Sequence, residues 1–199
     1  NYYTPPMEAM RKIEVIRGSA SLQYGPQFGG VLNYQIKKGN PNKPISFEAQ
    51  QTLGSYGLFN TYMAIGGTHK KFSYYGFIHH RAAEGWRNNS RYSIYTGYFS
   101  ANYQLTKKIN IEGEYTNMNY KSQQPGGLSD EQYTNNHHQS FRERNWFGAP
   151  FNVASLTIKY NISQSVNLQI KSFATIAERN SVGFTKSITL KDSVNPKTF

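Results

Sequence analysis

The sequence has 199 residues, and its 22 Lys and Arg against 11 Asp and Glu give a formal net charge of +11, which favours anionic partners. It contains no cysteine, which excludes a disulfide scaffold, a thiolate metal site and a cysteine nucleophile. Apolar residues make up only 37% and aromatic residues a high 15%, a mixture that suits a surface between apolar and wet surroundings better than a large soluble core.

The first segment with a structural signature is 13–33, IEVIRGSASLQYGPQFGGVLN. Short apolar stretches at 13–16 and 31–32, each of which could begin a β-strand, flank a run of turn residues: Gly18, Gly25, Pro26, Gly29 and Gly30. Glycine permits positive φ and close backbone approach, and proline fixes a bend. The pattern predicts short strands joined by tight turns, as in a compact β-rich turn cluster.

After residue 44 the chain becomes a series of strand-like segments, so the predicted fold class is all-β. Seven segments are predicted: 45–53, 58–67, 72–81, 94–105, 109–116, 153–162 and 166–176. Alternation is clearest from 94 onward, where Tyr95, Phe99 and Tyr103 form an apolar row and Asn102 and Gln104 a polar one. The chain has no run of about 18 apolar residues, so no transmembrane helix is expected, and its first residues do not resemble a signal peptide.

The connections alternate in length. Segments 68–71, 106–108 and 163–165 are short, whereas 54–57, 83–91 and 119–150 grow to about thirty residues. All the tight turns therefore fall at one end of the sheet and the long loops at the other. This asymmetry is typical of a transmembrane β-barrel with short periplasmic turns and long extracellular loops. A soluble β-sandwich is the alternative, although it usually has shorter strands.

Three motifs within 8–37 resemble the end of the plug domain of TonB-dependent outer-membrane receptors. They are IEVIRG at 13–18, LQYG at 22–25 and GGVLN at 29–33. The residues of this plug signature are Arg17, Gly18, Tyr24, Gly25, Gly29 and Gly30. Arg17 would lie in the polar lumen, paired with a carboxylate.

A narrower resemblance points to the ferric dicitrate receptor-like subgroup. It is carried by YGPQ at 24–27, GWR at 85–87, QPGGLSD at 124–130, and Gln139, Ser140 and Arg142. The chain departs from the subgroup at 149–152, where it has APFN and the subgroup is richer in arginine. Citrate itself is therefore not carried over as the ligand.

The resemblance implies part of a 22-stranded antiparallel transmembrane β-barrel, preceded by the C-terminal end of the plug domain. Residues 1–40 would be that plug end, and 45–199 the first seven or so barrel strands with a long extracellular loop at 119–150. The chain would then be a fragment, without the box that TonB grips. The expected location is the outer membrane of a Gram-negative bacterium, with outer-membrane lipid and lipopolysaccharide as partners. The implied function is TonB-dependent import of a ferric chelate, either a siderophore or a ferric citrate-like complex.

The segment 123–150 holds the candidate ligand residues. The guanidinium groups of Arg142 and Arg144 have the forked geometry that binds carboxylate or phosphate groups. Trp146 would line the site, and Gln139 would contribute a polar contact. The same arginines equally suit a solvated loop that touches lipopolysaccharide phosphates. His137 and His138 are adjacent and would point to opposite sides of an extended chain, so no metal site is predicted there.

Other functions fit less well. The segment 25–30 is not G-x-G-x-x-G and no G-x-S-x-G motif occurs, so neither an enzyme nor a cofactor is predicted. Nucleic-acid binding fits the charge, but the basic residues are scattered rather than gathered on one face, so no nucleic-acid partner is expected. Import of another nutrient, such as a glycan, haem or cobalamin, shares the architecture and stays open.

Overall fold

The computed structural model describes residues 4–18 and 29–192. A 3-10 helix, Met7–Ala9, leads into β1. The helix α1, Asp130–Asn135, lies in the longest loop, and none of the helices in these two ranges is long and apolar enough to cross a membrane. The strands are β1 Met10–Arg17, β2 Gly30–Ile36, β3 Ser46–Gly54, β4 Leu58–His69, β5 Phe72–Ala83, β6 Tyr92–Gln104, β7 Ile109–Gln123, β8 Trp146–Asn161, β9 Asn167–Ala177 and β10 Asn180–Val182.

Strands β3 to β9 form one antiparallel meander in which each strand pairs with the next. β9 and β10 both pair with β8, so they act as one strand interrupted at 178–179. Because the strands alternate in direction, the turns 70–71, 105–108 and 162–166 lie at one end of the sheet. The longer loops 84–91 and 124–145 lie at the other, as the sequence predicts.

The longest loop is shorter than predicted. The sequence places it at 119–150, but β7 extends to Gln123 and β8 begins at Trp146, with Asn119 opposite Pro150 in the register. Over these stretches the apolar residues change sides: Asn117, Asn119 and Pro150 lie in the outward rows, whereas Met118 and Phe147 are buried in the inward rows. The row that is apolar elsewhere is polar here, so a search for one continuous apolar row stops short of the strand ends. α1 also went unpredicted, although Ser129 and Gln132 form a capping box that is readable in the sequence.

The two faces of the meander differ in charge. In the described strands β3 to β9, the outward rows contain one Asp, Glu, Lys or Arg, namely Lys121, which lies over the Trp146 ring near the long-loop end. The rest of these rows is apolar, small or neutral, and large side chains such as Phe47 and Ile78 are two-thirds exposed. Tyr95 and Tyr103 are eight residues apart on β6, about 26 Å along the strand, which at the usual tilt of barrel strands spans about 20 Å of the roughly 25 Å apolar band of membrane barrels.

The inward rows carry the polar groups. Glu112 is 9% exposed and meets Lys38 at 2.5 Å, while Glu114 accepts hydrogen bonds from Tyr98 and Ser155. Asn102, which the sequence predicts to face inward, bonds Asn110 in the same row. Gln104 also lies in this row, opposite Asn110, although it is exposed.

A hairpin formed by β1 and β2 lies on the inward face. Ala9, fully buried, packs against the inward rings of Tyr62, Tyr75, Phe77 and Tyr98, and Ile36 packs against the same cluster. The Tyr62 and Tyr75 hydroxyls hydrogen-bond each other beneath it. Lys37 adds an ion pair to Glu48 at 2.9 Å. Apolar contact in the centre and ion pairs at the margin therefore attach the hairpin to the sheet.

Within the hairpin, Arg17 pairs with Gly30. Gly30 has φ 120°, and a Cβ there would overlap the Ile16 carbonyl oxygen, so the close approach of β1 and β2 requires glycine. Arg17 and Gly18 are exposed at the end of β1, and Gly29 precedes β2. Tyr24 and Gly25, the other two residues of the plug signature, lie outside the described residues.

We predict that Ala9→Leu loosens the hairpin. The added carbons have no space against the ring cluster, and overpacking of this kind costs about 1–3 kcal/mol. Hydrogen exchange of the β1 and β2 amides, measured in the full-length protein, should become faster. The control is Ala101→Leu, which places the same side chain on the outward row of β6 and should leave that exchange unchanged. Equal exchange in both variants would contradict the packing described for Ala9.

Candidate functional site

The long-loop end of the sheet carries a loop cluster, which we define as segments 84–91, 124–145 and 183–192. Arg87 donates to the carbonyls of Gln139 and Gly126. The Asn89 amide donates to the carbonyls of Gln124, Arg142 and Asn145. Because the side chains of one loop satisfy the backbone of another, the cluster is held together by its own hydrogen bonds.

Arg142 makes the central hydrogen bonds that hold the loop cluster together. It is 5% exposed, and its two terminal nitrogens donate to four carbonyl oxygens at 2.9–3.0 Å. Three of those acceptors belong to the distant segment: Lys186, Ser187 and Leu190. The guanidinium also lies 5.1 Å from the centre of the Phe184 ring. Ligand contact by Arg142 stays a prediction, and it would require these four hydrogen bonds to open.

Arg144 makes the second contact that joins segment 124–145 to segment 183–192. Its Nε lies 2.9 Å and its Nη2 2.5 Å from Oδ1 of Asp192, a fully buried carboxylate. The hydrogen bonds from Arg144 lower the pKa of the Asp192 carboxyl and raise the pKa of Arg144 itself. The backbone N–H of Asp192 donates to the Phe141 carbonyl at 2.9 Å. The positive charge of Arg144, which the sequence suggests for binding an anionic ligand, is thus already paired with the Asp192 carboxylate of the same chain.

The other two predicted ligand residues are also engaged in local contacts. The Gln139 amide donates to the Gln132 carbonyl, and the Gln139 carbonyl accepts from Arg87. Trp146 occupies the outward row of β8, with the Lys121 ammonium 5.4 Å from the ring centre. The structure therefore brings Gln139, Arg142 and Arg144 together in the loop cluster and places Trp146 on the outer surface beside it. Their roles as ligand contacts stay predictions.

The adjacent histidines lie in an aromatic group with Trp86. His137 is roughly parallel to the indole, and His138 Nδ1 lies 2.6 Å from the Trp86 carbonyl oxygen. Among the described residues, no three His, Cys, Asp or Glu side chains converge in the way a metal site needs. This group fixes loop 84–91 against loop 124–145.

A cavity of about 520 Å³ lies between the segment before β1 and the inward face of the sheet. Its lining includes Glu8, Asn60, His79, Arg81, Phe147 and Arg179. Most of these residues lie on strands, toward their long-loop ends, so the cavity lies on the side of the sheet that the loop cluster occupies. It combines cationic, aromatic and hydrogen-bonding groups on the inward face.

A hydrogen-bond chain crosses one wall of the cavity. The Asn60 amide donates to Glu8 at 2.9 Å, so its carbonyl oxygen is left to accept from His79 Nε2 at 2.6 Å. This arrangement assigns the proton to Nε2 and leaves Nδ1 of His79 as an acceptor. Nδ1 is buried and has no hydrogen-bond partner among the described residues.

The cations of the cavity are Arg81 and Arg179. The Arg81 guanidinium lies 5.9 Å from the Tyr92 ring centre, and that of Arg179 lies 5.4 Å from the Phe147 ring centre. Sequence reasoning did not select them. The available signal was that Arg81 and His79 occupy alternate positions on β5, opposite the row that contains Ile78, which places both on the inward face.

Comparisons with known proteins support the fold. No protein-family model matches the sequence, and no curated protein matches it significantly. The chain is similar to the ferric citrate transporter FecA in its unliganded form, with a TM-score of 0.77 and 23% identity over 90% of this chain and 28% of that one. It is also similar to the ferric-catecholate import receptor Fiu of E. coli K12 in an open form, with a TM-score of 0.74 and 13% identity over 88% of this chain and 30% of that one. The chain therefore has a TonB-dependent receptor-like fold and spans less than a third of the length of either structure.

We predict that Arg142→Ala releases segment 183–192 from the loop cluster. Three carbonyl groups of that segment lose a charged donor, at a local cost of about 2–4 kcal/mol. Hydrogen exchange of residues 184–190 in the full-length protein should accelerate. The control is Arg91→Ala, because its ion pair with Glu84 is well exposed on both sides and contributes little. Unchanged exchange combined with weaker ligand binding would instead support direct ligand contact by Arg142.

A second prediction concerns acid. Because the folded pKa of Asp192 is lowered, the Asp192–Arg144 pair contributes stability that is present above the ordinary pKa of about 3.9. That stability is lost as the pH falls through the lowered folded value. Tryptophan fluorescence from Trp86, within the loop cluster, and from Trp146, beside it, should report an acid transition. Asp192→Asn should weaken the cluster at neutral pH and remove this step, and an unchanged acid midpoint in that variant would contradict the assignment.

Proposed function

We propose that the chain is part of a TonB-dependent importer of a ferric chelate in the outer membrane of a Gram-negative bacterium. The observation that carries the proposal is the distribution of charge across the sheet. In the described strands β3 to β9, the outward rows hold Lys121 as their one charged residue, while the inward rows hold Glu48, Glu112 and Arg81 and bind a hairpin. A sheet that is apolar outside and polar inside is the arrangement of a lipid-embedded barrel.

The architecture we propose is the one that the resemblance implies. Residues 1–40 are the end of a plug, and 45–199 are the first strands of a barrel of 22 strands. β3 and β9 are both edge strands in the described sheet, and an open edge is not tolerated in lipid. Further strands must therefore close the barrel. In this proposal TonB supplies the energy through a box outside this chain, while outer-membrane lipid and lipopolysaccharide surround the strands.

The proposed substrate is an anionic ferric chelate, and the cavity is where we place its contact with this part of the wall. Arg81 and Arg179 supply positive charge to the cavity. Phe147 adds an apolar surface. We propose that Arg142, Arg144 and Gln139 affect uptake by ordering the loops above the cavity, with ligand contact only if those loops open.

Uptake by whole cells tests this proposal. A strain that lacks the entire gene should lose accumulation of one labelled ferric chelate, and the intact gene should restore it. Arg81→Gln should raise the KM of that uptake by about tenfold, the effect of losing about 1.4 kcal/mol of charged contact. The control variant is Arg91→Gln, which removes the same charge from the exposed pair with Glu84 outside the cavity and should leave the KM unchanged.

The results separate the alternatives. A deletion strain that grows normally on every ferric chelate but fails on haem, cobalamin or a glycan would overturn the substrate class and keep the importer. Normal uptake of all of them would overturn the importer. Equal KM values for Arg81→Gln and Arg91→Gln, with a clear phenotype on deletion, would remove only the cavity from the proposal.

A further inference from the structure

The short-turn end of the sheet carries four lysines, which we call the turn lysines: Lys70, Lys71, Lys107 and Lys108. They occupy the connections between β4 and β5 and between β6 and β7, and all four are exposed. Lys70 adopts φ 54°, a left-handed conformation that is less costly for Gly or Asn. The geometry of the turn therefore does not account for a lysine at this position.

These lysines have no carboxylate partner within the described ranges. The ion pairs there involve Lys12, Lys37, Lys38, Arg91, Arg144 and Lys191. The turns 70–71, 105–108 and 162–166 contain no Asp or Glu. The long-loop end has the opposite character, because Glu84, Glu143 and Asp192 are each paired there with a cation. Positive charge is thus balanced inside the chain at one end of the sheet and left unbalanced at the other.

The turn lysines lie beside an apolar margin of the outward face. Phe72 and Leu105 adjoin the turns and are each more than 40% exposed, as is Tyr103 in the same margin. Phe72 pairs with Tyr103 across the ladder and stacks on Tyr74. Aromatic side chains at this height, with ammonium groups just beyond them, match the boundary between acyl chains and head groups, where lysine extends its charge toward the polar layer.

We infer that the turn lysines bind the head groups of anionic phospholipid at the short-turn edge of the barrel. The inference rests on the proposed function only in requiring that the outward face meets lipid. Lysines near an anionic membrane surface attract its head groups electrostatically, and this attraction is screened by salt. Nucleic acid is the less suitable partner, because the neighbouring rings belong to the outward apolar rows and not to a basic groove.

The test uses the full-length receptor in vesicles of phosphatidylethanolamine with about one quarter phosphatidylglycerol, the anionic lipid that serves as the probe. After mild detergent extraction, native mass spectrometry counts the phosphatidylglycerol that stays bound. The variant K70Q/K71Q/K107Q should retain several-fold less than the parent. The matched control R91Q/K186Q/K191Q removes the same charge from the long-loop end, without touching an outward row, and should retain the parent amount. High salt during extraction should abolish the difference between the two variants.

Equal retention by the two variants would overturn the inference, and so would retention of phosphatidylglycerol and phosphatidylethanolamine by the parent in the same proportion as in the vesicles. Heat-modifiable migration in gels verifies that each variant is folded. Uptake of the ferric chelate is measured on the same variants. Loss of lipid retention with normal uptake supports the inference alone, whereas a receptor that fails to import anything but still shows the difference in retention overturns only the proposed function.

Discussion

Alternation of side chains along the strands is the constraint on which the rest of the structure depends. An outward row that tolerates almost no charge sends the carboxylates of β3 and β7 to the inward face, where each needs a partner. Glu48 and Glu112 find Lys37 and Lys38 just after β2, and the aromatic rings between them meet Ala9. The hairpin and the residues that flank it therefore supply the cations and the apolar contact that the polar face of the sheet requires.

The same logic explains why an open cavity remains toward the loop end. There the loops satisfy one another, since Arg142 binds carbonyls and Arg144 binds Asp192, so their cations do not reach down to the inward face. The wall below keeps Arg81, which lies over the Tyr92 ring and has no ion pair among the described residues. Charge that is neutralised within a loop builds structure, whereas the charge of Arg81 remains in the lining of the cavity that we propose as the ligand site.

The sequence predicts the strands well but does not reveal the contacts that the arginines of the long loop make, and the two outcomes have different physical reasons. Alternation is a local signal, so all seven long strands could be found, except where Asn117, Asn119 and Pro150 blur the outward rows of β7 and β8. Each arginine of the long loop, by contrast, is assigned by an acceptor about 45 residues downstream, between Lys186 and Asp192. Residue type and spacing cannot show which acceptor will fold back onto a guanidinium. An arginine that binds a ligand and an arginine that holds two loops together therefore look the same in the sequence.

The two ends of the sheet also differ in how their charge should respond to the surroundings. At the loop end the buried carboxylate of Asp192 and the hydrogen bonds of Arg142 lie within the protein, where salt screens weakly, so that end is organised by contacts within the chain. At the turn end Lys70 and Lys108 are exposed and lack an internal counter-charge in the described ranges, so their electrostatic energy is set by the surroundings. In the barrel that we propose, the two rims would therefore differ: one carries its own counter-charges, and the other would depend on those of the lipid.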